Sequence, residues 1–102
     1  MALIVRKYGG TSVATLDHIK RVAVATMQTR QAGDQVVVVV SAMSGQTDHL
    51  LQLAAEVTSE PASREQDALV ATGEQVCAAL LAITMNSLGS KAKSFTGAQI
   101  PL

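Results

Sequence analysis

The residues best suited to chemistry stand near the start of the chain. Lys7-Tyr8-Gly9-Gly10-Thr11-Ser12 follows a short apolar run, Ala2-Leu3-Ile4-Val5. A lysine at a strand end, two glycines and two hydroxyls ahead of a helix form an arrangement that can hold phosphate. Glycines lack Cβ, so backbone N–H groups can approach an anion and take positive φ where a turn needs it. The helix N-terminus behind them adds unpaired N–H groups and partial positive charge. Lys7 supplies a full charge able to follow a phosphoryl group as it moves. In the Walker-type loop the lysine follows the glycines, and the dinucleotide fingerprint has a third glycine that is missing here. A bare Gly-Gly is ordinarily a tight turn between strand and helix, so context must separate the two readings.

Two further small-residue segments supply that context. Ser41-Ala42-Met43-Ser44-Gly45-Gln46-Thr47 follows the unbroken run Val36–Val40, and Ala71-Thr72-Gly73-Glu74 lies within a long helical pattern. In open α/β sheets, ligands bind beyond the carboxyl ends of strands. If the three segments converge there, they offer a cation, backbone donors, hydroxyls and one carboxylate. That inventory suits a phosphate-bearing nucleotide together with a small ligand carrying an ammonium group.

The elements that must position these groups read as strand, helix, strand. Val36–Val40 has the pattern of a strand covered on both faces in a parallel sheet. From about Leu16 to Gln31, Ile19, Val22, Ala23 and Met27 recur at helical spacing. Thr15 is placed to cap that helix, and Gly33 stands where it should stop. Leu50, Leu51, Ala54 and Val57 define a second amphipathic helix, broken at Pro61. A third helical region runs from about Ser63 to Leu88, with a bend expected at Thr72-Gly73 because glycine within a helix costs ~1 kcal/mol relative to alanine. Lys91–Phe95 reads as a third, shorter strand. The result is an α/β unit with a mainly parallel sheet and an exposed edge, the front part of a larger domain.

Composition narrows the function. At 102 residues the chain is one domain at most, able to bury about two-thirds of its unfolded surface. Hydrophobic residues make up 48% but aromatics only 2%, so the core must come from Val, Leu, Ile, Ala and Met. Eight basic and eight acidic residues cancel, which argues against general nucleic-acid or membrane-surface binding. Five cations outweigh Asp17 over residues 1–33, while seven acids outweigh Arg64 over residues 34–75. Most of these belong to solvated helix faces, as do the isolated His18 and His49. The lone Cys77 lies in an apolar run and reads as a small buried hydrophobe, with no metal cluster around it. No uninterrupted apolar run approaches the ~20 residues of a membrane span, and no targeting segment is expected ahead of the first strand. A cytoplasmic setting is expected.

The segments Lys7–Val13, Val38–Thr47 and Thr72–Val76 resemble, in order and separation, three successive signatures of the aspartate kinases, and Ser94-Phe95-Thr96-Gly97 is similar to the next. The likeness covers essentially the whole chain. It implies the amino-acid kinase fold, a three-layer αβα architecture, with residues 1–102 as an incomplete, N-terminal portion and the regulatory ACT domains elsewhere. It also implies transfer of the ATP γ-phosphoryl group to the side-chain carboxylate of L-aspartate, a step toward lysine, threonine, methionine and diaminopimelate. On this resemblance Lys7, Tyr8, Gly9 and Gly10 form the ATP segment with Ser12 lining it. Thr47 and Glu74 contact aspartate, with Ser41 beside them. Lys7 is the candidate catalytic group, and Glu74 the natural partner of the substrate ammonium. Mg²⁺ is expected with ATP, though no metal ligand can be named, and the full-length enzyme is expected to be a homo-oligomer. Ala71 and Ala98 depart from the family's usual residues, but neither carries assigned chemistry.

Two other functions fit less of the sequence. One is an amino-acid kinase that uses glutamate, acetylglutamate, carbamate or UMP as acceptor, against which Ser41–Gly45 and Thr72–Glu74 argue. The other is a catalytically silent nucleotide-binding or assembly module. The fragment by itself is expected to have little or no turnover.

Overall fold

The computed structural model describes residues 1–96. Strand β1 (Leu3–Tyr8) leads to helix α1 (Leu16–Gln31), strand β2 (Gln35–Val40), helix α2 (Gln46–Val57) and helix α3 (Ser63–Ser87). β1 and β2 pair in parallel, in register from Leu3 opposite Gln35 to Tyr8 opposite Val40. The ladder continues past both ends: Gln35 N–H donates to the Ala2 carbonyl at 2.8 Å and Ser41 N–H to the Tyr8 carbonyl at 3.2 Å. Equal strand length and in-phase pairing bring the two carboxyl ends level.

α1 begins and ends where its sequence predicts. Thr15 is the N-cap in extended conformation, its hydroxyl accepting from the His18 N–H at 3.3 Å. Ile19, Val22, Ala23 and Thr26 form its buried stripe. The one polar member is satisfied within the helix, because the Thr26 hydroxyl donates to the Val22 carbonyl at 2.8 Å. Against this stripe lie Cys77, Leu81 and Met85 of α3, together with Val13 and Val40, forming the aliphatic core that the composition predicted.

Three expectations need correction. α3 runs as one helix of 25 residues through Thr72-Gly73 rather than as two pieces. Gly73 sits on its buried stripe, and packing there outweighs the local propensity cost. Next, the valine run is covered on one face only. Val36, Val38 and Val40 turn toward α1 and α3, whereas Val37 and Val39 are 47% and 45% exposed. Leu3 and Val5, each 65% exposed, share that uncovered face. Side chains alternate across a strand, so helices packed on one side leave every second residue bare. Finally, Lys91–Phe95 forms no strand, and among the described residues the sheet has two strands. The Asn86 side chain takes up both backbone groups of Ala92, accepting from its N–H at 2.9 Å and donating to its carbonyl at 3.2 Å.

α3 also passes, by length and composition alone, for a membrane span, with a mean hydropathy of 1.6 over its most apolar stretch. A core helix meets the same test, and Gly73, Cys77, Leu81 and Met85 of α3 are buried in this core. Val76 and Ile83 add apolar surface on its exposed side.

Cys77 offers a check on this packing. Its burial pushes the thiol above its ordinary value of 9.0, so on raising the pH the unfolded chain ionises first and the folded thiol stays protonated. The stabilising contribution of Cys77 is therefore fully present below pH 9 and is lost as pH rises through the folded value. The difference in urea midpoint between the native chain and Cys77→Ala should shrink from pH 7 to pH 10; an unchanged difference would mean the thiol titrates normally.

Candidate functional site

Because the strands end side by side, the loops that leave them start at one rim. The first, residues 9–15, opens with a turn closed by the Ser12 N–H on the Gly9 carbonyl at 3.0 Å. The second, residues 41–45, closes with the Gln46 N–H on the Met43 carbonyl at 3.1 Å. The Ser44 N–H donates across to the Ala14 carbonyl at 3.2 Å, tying one loop to the other. The turn does not call on the left-handed freedom of Gly9 or Gly10: positive φ occurs among the described residues at Gly33, Gly45 and Gly89. A Cβ on Gly9 would meet nothing within 4 Å, and one on Gly10 would make an ordinary 3.6 Å contact with the Ala42 carbonyl. What Gly9 and Gly10 contribute is bare main chain rather than unusual conformation.

Gly45 is the position where conformation decides the residue. With φ at 80° it is the N-cap of α2, and no side chain caps the first turn. Apart from the Gln46 N–H, which is taken by the Met43 carbonyl, that turn keeps its partial positive charge and its first-turn amides for another acceptor.

The third segment arrives by close packing. A Cβ on Gly73 would stand 3.1 Å from the Ala42 Cβ, 3.5 Å from Leu50 Cδ1 and 3.7 Å from the Gln46 Cβ. Glycine lets α3 touch the 41–45 loop and α2 at once without pushing Ala42 aside. Glu74, the next residue, is thereby carried to the rim.

The result is an open cavity of about 650 Å³ whose polar lining includes Thr11, Ser41, Ser44, Thr47, Asp48 and Glu74, with Gly10 at its edge. Of the residues singled out from sequence, Gly10, Ser41, Thr47 and Glu74 come together here. Lys7, Tyr8, Gly9 and Ser12 do not line this cavity. Lys7 is exposed and lies on the uncovered face with Leu3 and Val5, while the Tyr8 side chain points the other way and packs against the core. Gly9 and Ser12 are exposed on the neighbouring loop.

Thr11, Ser44 and Asp48 were not assigned from sequence. Thr11 and Ser44 sit inside the small-residue segments, so spacing had marked their loops without marking them. Asp48 lies in the first turn of α2, where the helix dipole favours an acid.

The chemistry of the lining is one-sided. It holds two carboxylates, four hydroxyls and a helix N-terminus, with no lysine or arginine. Carboxylates attract an ammonium group, while hydroxyls and amide N–H groups accommodate a carboxylate. The cavity's lining is therefore complementary to an ammonium and a carboxylate on one small molecule, and the cation Lys7 lies outside it on the adjoining stretch. Among the described residues, no group of three His, Cys, Asp or Glu side chains is placed to hold a metal ion.

Comparison with known proteins places the chain in a family. The model of the amino acid kinase family matches residues 2–102. The chain is 52% identical over 99 residues to an aspartokinase of Mycolicibacterium smegmatis, covering 97% of this chain and 24% of that protein. It is 52% identical over 100 residues to an aspartokinase of Pseudomonas aeruginosa, covering 98% and 24% respectively. A crystal structure of aspartate kinase from Synechocystis superposes with a TM-score of 0.90 at 48% identity, over 96% of this chain and 17% of that one. The chain thus spans about a quarter of the length of the relatives it matches.

The Gly73 contact generates a direct test. Gly73→Val should lower stability by about 1–3 kcal/mol, the usual cost of overpacking, because its branches must displace Ala42. In an Ala42→Gly background the loss should shrink, since the 3.1 Å neighbour is gone. Urea denaturation of the single and double variants measures the coupling; additive effects would show that the two residues do not meet.

Proposed function

The chain belongs to the amino acid kinase family, and from that footing we propose that it forms the N-terminal portion of an aspartate kinase domain. The reading is carried by one observation: Ser41, Thr47 and Glu74 face a common cavity at the carboxyl ends of two parallel strands, beside the Lys7–Gly10 stretch. Its substrates are ATP, taken as its Mg²⁺ complex, and L-aspartate.

The proposed reaction follows from the charges. The substrate ammonium sits against Glu74, with Ser41 and Thr47 on the same molecule's polar groups. An oxygen of its side-chain carboxylate attacks the γ-phosphorus of ATP. The bond from that phosphorus to the bridging oxygen breaks, ADP leaves, and aspartyl phosphate forms. The attacking carboxylate is already ionised at neutral pH, so no general base is needed. Catalysis then consists of positioning and of offsetting charge on the phosphoryl group in transit. Lys7 is the residue proposed for that offset, and Tyr8, Gly9, Gly10 and Ser12 border the nucleotide. Residues outside this chain complete the nucleotide site, which is why the 102-residue piece alone should not turn over.

The test uses this chain joined to the remaining three-quarters of the M. smegmatis relative. Lys7→Ala should lower kcat by ~10²–10³ with little change in the aspartate KM, as removal of a transition-state charge partner does. Glu74→Ala should raise the aspartate KM by about 10–100-fold, the loss of one charged hydrogen bond, while the ATP KM stays within about twofold. Equal loss toward both substrates would point to misfolding. Phosphorylation of glutamate, acetylglutamate, carbamate or UMP in place of aspartate would overturn the acceptor assignment.

A further inference from the structure

The 41–45 loop is a wall shared by both halves of the rim. On one side it clasps the 9–15 loop near its two ends. The Ser41 N–H donates to the Tyr8 carbonyl at 3.2 Å, and the Ser44 N–H to the Ala14 carbonyl at 3.2 Å. Between those bonds Gly10 passes the Ala42 carbonyl, close enough that a Cβ on it would stand 3.6 Å away. On the other side the Ala42 methyl is the nearest neighbour of Gly73, 3.1 Å from where a Cβ would be. Ala42 is only 8% exposed and carries no polar side-chain atom. It stands in the cavity lining as a support.

The methyl and the carbonyl of Ala42 hang from one residue, so pressure on the first is felt at the second. Neither loop has much room to yield. Val13 of the first is part of the buried core, and Met43 of the second packs against it. Close-packed groups pass displacement on rather than absorb it. An aspartate held between Glu74 and Ser41 draws α3 onto Ala42, and Ala42 in turn holds its carbonyl against Gly10. A nucleotide held on the Lys7–Gly10 stretch fixes the same wall from the opposite side. Each ligand thus sets the wall where the other needs it, and such an effect is reciprocal. We propose that Ala42 is a positioning residue for both substrates, through which aspartate and nucleotide strengthen each other's binding. This rests on the aspartate kinase reading given above.

Calorimetric titration of the chimera with the M. smegmatis remainder tests it, using L-aspartate and Mg²⁺–ADP. ADP lacks the phosphoryl group that the acceptor attacks, so the ligands have no reacting contact through which to influence one another. In the native chimera, saturating ADP should tighten aspartate binding at least ~5-fold, the lower end of ordinary coupling between sites. Saturating aspartate should tighten ADP binding by the same factor. Ala42→Gly should bring that factor below about twofold, whereas Ala42→Ser, which keeps a carbon against Gly73, should retain it. A residue that merely supported the fold would move the urea midpoint and leave the factor alone. Independent binding of the two ligands to the native chimera overturns the inference without any variant. A native factor in Ala42→Gly overturns it as well. Absence of aspartate binding, with or without ADP, overturns the acceptor reading and this inference together.

Discussion

The contact between α3 and the loop that follows β2 is the constraint on which the site depends. Gly73 lies so close to Ala42 that even a methyl group would crowd it. This approach brings an element about thirty residues further along the chain against the rim where the two strands end. Without it, Glu74 would be one acid among several on an exposed helix face. With it, the carboxylate faces Ser41 and Thr47. The cost of a glycine inside a long helix is modest, ~1 kcal/mol, and the buried stripe of Cys77, Leu81 and Met85 on the same face holds the helix in place.

Charge separation along the sequence becomes separation in space around this rim. The cation-rich opening of the chain contributes Lys7 on one side, and the acid-rich middle contributes Asp48 and Glu74 on the other. On the proposed reading this separation matters, because a nucleotide phosphate and an amino-acid ammonium want opposite surroundings. The uncapped start of α2, created by Gly45, adds partial positive charge within the acidic half, where a substrate carboxylate can meet it.

Much of this was legible in the residues. Thr15 and Gly33 bracket α1 because capping is a local matter, decided by a hydroxyl and a small residue at the right places. The convergence of the segments at 41–47 and 71–74 was legible in their small residues, while the choice of Ser41, Thr47 and Glu74 within them came from the resemblance to the aspartate kinases. What the sequence concealed is long-range. Val36–Val40 has the same pattern whether one face of the sheet is covered or two, since each valine reads alike and only partners decide exposure. Lys91–Phe95 has strand-like composition, yet a strand needs a neighbour, and Asn86 supplies a substitute that no periodicity reveals. The bend expected at Gly73 failed for a similar reason: propensity describes the helix alone, and packing against Ala42, Leu50 and Gln46 gives the glycine a different task.

α2 has no fully buried residue, and its described packing is against α3 alone. Local stability follows buried apolar contact, so this helix is less firmly held than α1, β2 and the second half of α3, which carry most of the buried core. Thr47 and Asp48 ride on this helix, and Ser41 directly follows β2. The cavity at the rim is thus lined from both a firmly packed wall and a lightly packed one.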